Sequence, residues 1–131
     1  MISVRYTVLF LFLCLATVTV GQINVRPLII GQSPLSTDRN VAITIQFGDL
    51  IVVDWDDSYP TGFTLTLYEG KNFTFQGSTV TPKDNFVGTL TVPVTVNDGQ
   101  DESRKFDLKI SVKKKKNIPP VITGQEVLSI Q

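Results

Sequence analysis

Leu90-Thr-Val-Pro-Val-Thr-Val-Asn-Asp-Gly99 is the stretch that decides the fold. On an extended backbone Leu90, Val92, Val94 and Val96 fall on one side, and Thr91, Pro93 and Thr95 on the other. A period of two carried by β-branched residues is the pattern of a half-buried strand. Asn97-Asp98-Gly99 supplies the turn residues that end it. Pro93 has no backbone donor, which predicts an edge strand or a bulge at that point.

The same reading extends in both directions. Downstream, Phe106, Leu108, Ile110 and Val112 alternate with Lys105, Asp107, Lys109 and Ser111. Upstream, Thr79 to Thr81 and Phe73-Thr-Phe75 form two short strands around Gln76-Gly77. Phe63, Leu65 and Leu67 alternate with Thr64, Thr66 and Tyr68, and Glu69-Gly-Lys-Asn72 turns the chain after them. Leu50 to Val53 is an apolar run that empties into the acidic loop Asp54-Trp-Asp-Asp57. Val41, Ile43, Ile45 and Phe47 alternate with Ala42, Thr44 and Gln46, while Ser33-Pro34 and Thr37-Asp-Arg-Asn40 read as turns. Leu28 to Ile30, between Pro27 and Gly31, suits an edge strand. No helical period is visible here. About seven short strands with turn signals between them predict an all-β fold, an antiparallel β-sandwich with one wet face on each sheet. Trp55 and the phenylalanines are expected to supply much of its buried area.

The unit then begins again. Asn24-Val-Arg-Pro-Leu-Ile-Ile-Gly-Gln-Ser-Pro-Leu-Ser36 is matched by Asn117-Ile-Pro-Pro-Val-Ile-Thr-Gly-Gln-Glu-Val-Leu-Ser129. Asn24 and Asn117, Pro27 and Pro120, Ile29 and Ile122, the Gly-Gln pairs and the Leu-Ser pairs all coincide at a constant offset of 93 residues (117 − 24). A fixed period of this kind marks a tandem array. The domain is expected to span residues 22–116, with 117–131 the truncated start of a second repeat. Lys113 to Lys116 reads as a solvated linker, or as a contact for an anionic polymer, and Pro119-Pro120 stiffens the junction.

Residues 1–21 read as a secretory signal peptide: Arg5 near the start, the apolar run Val8 to Ala16, and small residues at Thr19-Val-Gly21. Its removal predicts a secreted or cell-surface chain with no membrane insertion. Cys14, the single cysteine, leaves with it, and the chain has no histidine. Disulfides, Ser/His/Asp and Cys/His nucleophilic sites, and zinc sites built on Cys or His are therefore excluded. Twelve basic residues balance twelve acidic ones, which offers no general field for nucleic acid. Paired carboxylates can perform glycosidic acid–base chemistry, but nothing else in the chain supports hydrolysis, and no enzyme is expected.

Calcium takes six to eight oxygen ligands. Asp54-x-Asp56, with Asp57 beside it, places two carboxylates on one side of an extended chain. Asn97 and Asp98 offer further oxygens, and Asp38 and Asp84-Asn85 lie in other loops. Asp54, Asp56, Asn97 and Asp98 are thus candidate ligands of a calcium ion. Turns are also built of Asp, Asn and Gly for conformational reasons alone. Asn72-Phe-Thr74 is an acceptor motif for N-glycosylation in an expected exposed turn.

Several segments occur in a telling order: Pro27-Leu-Ile-Ile-Gly-Gln32, Asp49-Leu-x-Val-x-Asp-x-Asp56, Tyr59-Pro-x-Gly-Phe63, Gly70-x-Asn-Phe-Thr74, Val80-Thr-Pro82, Asn85-Phe-x-Gly88, Leu90 to Gly99, Ser103, Phe106-x-Leu108 and the Asn-x-x-Pro junction. Together they resemble the cadherin-like tandem repeats of large exported bacterial proteins, a group of Ig-like β-sandwiches. The resemblance covers nearly all of residues 24–131. It implies an extracellular spacer or adhesive module, with neighbouring repeats of the same array, surface glycans or other cell-surface proteins as partners. It also implies calcium between modules, with Asp54 and Asp56 matching the family's Asp-x-Asp motif. Of the family's acidic junction motif only Asn117 is present, a further candidate ligand, and four lysines precede it. A carbohydrate- or polymer-binding module using Trp55, Tyr59 or Tyr68, or an accessory fragment of a larger secreted enzyme, are the alternatives.

Overall fold

A computed structural model of the chain describes residues 21–124. The signal segment expected over residues 1–21 lies outside them but for Gly21, as does the end of the second repeat from residue 125 onward. Nine strands run through the described residues: β1 (Leu28–Gln32), β2 (Leu35–Asp38), β3 (Ile43–Thr44), β4 (Leu50–Val53), β5 (Thr64–Leu67), β6 (Phe73–Gln76), β7 (Thr79–Pro82), β8 (Gly88–Asn97) and β9 (Phe106–Lys113). Among these residues there is no α-helix, and no helix long and apolar enough to cross a membrane.

The long alternating stretches become the centre of the molecule. β8 pairs with β9 on one side and β5 on the other, and β2 closes the sheet in the order β2-β9-β8-β5. Val92, Val94, Val96, Leu108 and Ile110 are completely buried, as their period of two requires. β3-β7-β6 and β1-β4 form the other two sheets. Ile29, Leu50, Phe73 and Val80 from these elements, with Ile45 just past β3, join the same core. Fully burying a Val, Leu or Ile side chain contributes roughly 1.5–3 kcal/mol, so this shared core dominates what holds the sheets together. The fold is all-β, with one mixed and two antiparallel sheets, an arrangement consistent with a β-sandwich.

Four expectations change. The sheets are not all antiparallel, because β2 runs parallel to β9, pairing Leu35 with Ile110 and Asp38 with Lys113. Its Leu-Ser-Thr-Asp sequence carries turn formers, yet the open edge of β9 offers it backbone partners. The Val41–Phe47 strand shortens to Ile43–Thr44. Gln46 N–H donates to Asp49 Oδ2 at 2.7 Å and Asp49 N–H to Gln46 O at 3.0 Å, winding Phe47–Asp49 into a 3₁₀ turn. Pro93 sits inside an internal strand, opposite Asp107 on β9. Its carbonyl accepts from Tyr68 N–H just past the last β5–β8 pair, so the missing donor faces the end of that ladder. Trp55 lies outside the core and is 84 % exposed, at the tip of a loop whose neighbours are carboxylates.

The two ends of the module differ in charge. β8 starts at Gly88 opposite Val112 and finishes beyond Val94, which faces Phe106. The loops after β4 and β8 therefore share one end with residues 21–27, and β9 delivers the lysine run to the other. There Arg39 N–H donates to Lys113 O at 2.7 Å.

Candidate metal centre

β4 and β8 release their chains at the same end, and each release is shaped by an aspartate. Asp54, directly after β4, accepts Asp56 N–H and Asp57 N–H on Oδ1, both at 3.1 Å. The chain bends there instead of staying extended. Asp57 is thereby the residue brought round beside Asp54, while Asp56 Oδ1 turns to accept Val25 N–H at 3.0 Å. After β8, Asp98 Oδ1 accepts Gln100 N–H and Asp101 N–H, both at 2.7 Å. One carboxylate oxygen from each of Asp54, Asp57 and Asp98 lies within 4.8 Å of the other two.

Asn24 fastens the N-terminal segment to these loops. Its amide donates to Asp98 Oδ2 at 3.2 Å and Asp101 Oδ2 at 3.0 Å, and its oxygen accepts from Gln100 Nε2 at 3.0 Å. Desolvation pushes the Asp98 carboxyl up, but the N–H groups of Asp101 and Gln100 and the Asn24 amide outweigh it and hold its pKa below the usual value. Asp56 is raised, first by desolvation and then by the Asp54 and Asp57 carboxylates, against the opposing Val25 N–H bond.

The cluster fits a cation. Asp54 Oδ2 is buried and has no hydrogen-bond partner among the described residues. A buried anionic oxygen without a partner costs a few kcal/mol, and a cation beside it removes that cost. Calcium–oxygen bonds of roughly 2.3–2.6 Å place ligand oxygens up to about 5 Å apart across the ion, and these three carboxylates offer oxygens within 4.8 Å of one another.

Of the sequence candidates, Asp54 and Asp98 come together. Asp56 lies beside them facing the N-terminal segment, and Asn97 closes its own turn through Oδ1, which accepts Gly99 N–H at 2.7 Å. Asn117 stands at the opposite end, around a hollow it shares with Arg39 and Lys114 to Lys116. Asp38, opposite Lys113, and Asn85, whose N–H donates to Asn40 Oδ1, lie at that far end too. The cluster also contains Asp57 and touches Asp101 and Asn24, which were not among the candidates. The recurrence of Asn24 at Asn117 was the signal that could have marked it.

The aromatic candidates divide. Tyr59 packs edge-on against Phe47 and Phe63, with centroids at 5.8 and 5.1 Å, and its hydroxyl donates to Phe47 O at 2.6 Å. Tyr68 donates to Glu102 Oε1 at 2.7 Å beneath the Lys105 ammonium, 3.9 Å from its ring centroid. Only Trp55 of the three presents an open ring face. No protein-family model matches the sequence, and no curated protein matches it.

Proposed function

We propose that this chain is an exported, cadherin-like module of Ig-like type, a structural or adhesive spacer that binds calcium at the end where its N-terminal segment enters. The observation that carries the reading is the buried Asp54 Oδ2, unpartnered among the described residues, on a side chain clustered with the Asp57 and Asp98 carboxylates. Asp54, Asp57 and Asp98 would hold the ion, which would supply the positive charge these loops lack. Tying the β4 and β8 loops together would stiffen the end of the module at which residues 21–27 enter. The module's role is then mechanical: a folded spacer in an extracellular array, holding more distal modules away from the cell, with neighbouring repeats, glycans or surface proteins as partners.

Terbium, a calcium mimic, tests the site directly, because Trp55 adjoins Asp54 and can sensitise its luminescence. Emission that calcium displaces, and that Asp54→Asn with Asp98→Asn removes, is the expected result. Emission unaffected by both substitutions would dismiss the site. A second reading, carbohydrate recognition, is favoured by the 84 % exposure of Trp55. Loss of glycan binding in Trp55→Ala would establish it.

A further inference from the structure

Residues 117–125 repeat residues 24–32, and each position kept has a task in the first copy. Asn24 bridges Asp98 and Asp101. Pro27 is fully buried and Ile29 belongs to the core. Gly31 sits where the β1–β4 register slips, with an Ile51 methyl 3.4 Å from where a Cβ would stand. The Gln32 side chain donates to Lys109 O at 2.8 Å and accepts Lys109 N–H at 2.6 Å, fastening β1 to β9. Asn117, Pro120, Ile122, Gly124 and Gln125 preserve all five. The changes fall on exposed positions: Leu28 and Ile30, 53 % and 56 % exposed, correspond to Val121 and Thr123. The tail thus keeps what the β1 site requires and varies where β1 meets solvent. Its own Ile118, Val121 and Ile122 are 76 %, 77 % and 90 % exposed.

Charge agrees with this register. The same offset sets Lys114 to Lys116 over positions 21–23, and Lys115 over Gln22, whose amide reaches Asp56 O at 3.4 Å. Three cations would thus lie along the acidic loops. The tail cannot reach its own module's site. β8 alone, ten residues long, spans about 30 Å, whereas the four steps from Lys113 to Asn117 reach at most about 14 Å.

We propose that Lys114–Gly124 is a docking strand for the β1 site of a second copy of this chain, laid against β4 with its lysines over the acidic loops. The proposal rests on the array reading only for its repeat register, not on calcium. Exchanging one strand for a matching one loses and regains the same kinds of contact, so concentration governs its extent. Leaving from one end and docking at the other makes the contact heterologous, and the chains join head to tail.

Ile29→Asp in the full chain opens the site. A synthetic peptide of residues 114–131 is then titrated in, with an Ile122→Asp peptide as control, and thermal unfolding is followed. The native peptide is expected to raise the melting temperature by about 5 °C near saturation, or to produce a cooperative transition if the variant has none. The control peptide should do neither. No effect at millimolar peptide, or equal effects of the two peptides, would overturn the proposal, whether or not the variant folds alone. Neither result bears on terbium or calcium binding, so the two readings fail separately.

Discussion

Asp54 combines two tasks in one side chain. Oδ1 bends the chain by accepting two N–H groups, and Oδ2 is left buried and unpaired among the described residues, on a side chain clustered with Asp57 and Asp98. Asn in its place keeps the acceptor and turns the orphaned oxygen into a donor. In chelator, Asp54→Asn should therefore match or exceed the parent by about 1 kcal/mol in urea unfolding, while losing the response to calcium. Gly70 has a purely steric task, since a Cβ there would stand 2.6 Å from the Phe73 ring. Gly70→Ala should cost about 1–3 kcal/mol in the same measurement. Glu102 sets an acid limit. Hydroxyl bonds from Thr95 and Tyr68, helped by Lys105, lower its pKa below the ordinary 4.5. A lowered folded-state pKa means stability that is present above that ordinary value and lost as pH falls through the folded value. The melting temperature should fall on acidification below about pH 4.5, and Glu102→Gln should flatten part of that fall.

At the level of elements, the sequence spoke clearly wherever a strand alternates over many residues. β8 and β9 are legible because every second side chain is committed to the core. β2 was not, because Leu35-Ser-Thr-Asp38 has no period of its own and becomes a strand through a parallel partner some 75 residues away in sequence. Similarly, the pairing of Asp54 with Asp57 instead of Asp56 depends on a turn made by backbone N–H groups, which residue spacing does not encode. Exposure of Trp55 follows from the same turn. Gln32 shows a third kind of hidden contact, a side chain that substitutes for ladder bonds between β1 and β9. Gln32→Ala should lower stability by about 1–2 kcal/mol and loosen β1 first, seen as faster hydrogen exchange at Ile29 than at Leu108.

The whole molecule is a module with unlike ends around one core. Leu108, fully buried between the sheets, should cost about 2–5 kcal/mol as Leu108→Ala, which tests that the three sheets unfold as a unit. The acidic end carries the candidate ion site and the lysine run leaves from the other, so the proposed function and the proposed assembly both turn on what the acidic loops bind. Thermal unfolding of the chain with a calcium series and with chelator measures this most directly. An ion that binds only the folded state raises its melting temperature, by about 5 °C or more once calcium reaches a hundred times its dissociation constant. We expect that rise within the ~0.1–1 mM affinity range of extracellular calcium modules, and its loss in Asp54→Asn and Asp98→Asn. An unchanged melting temperature at about 10 mM calcium, or the same rise in both variants, would contradict the calcium-binding module.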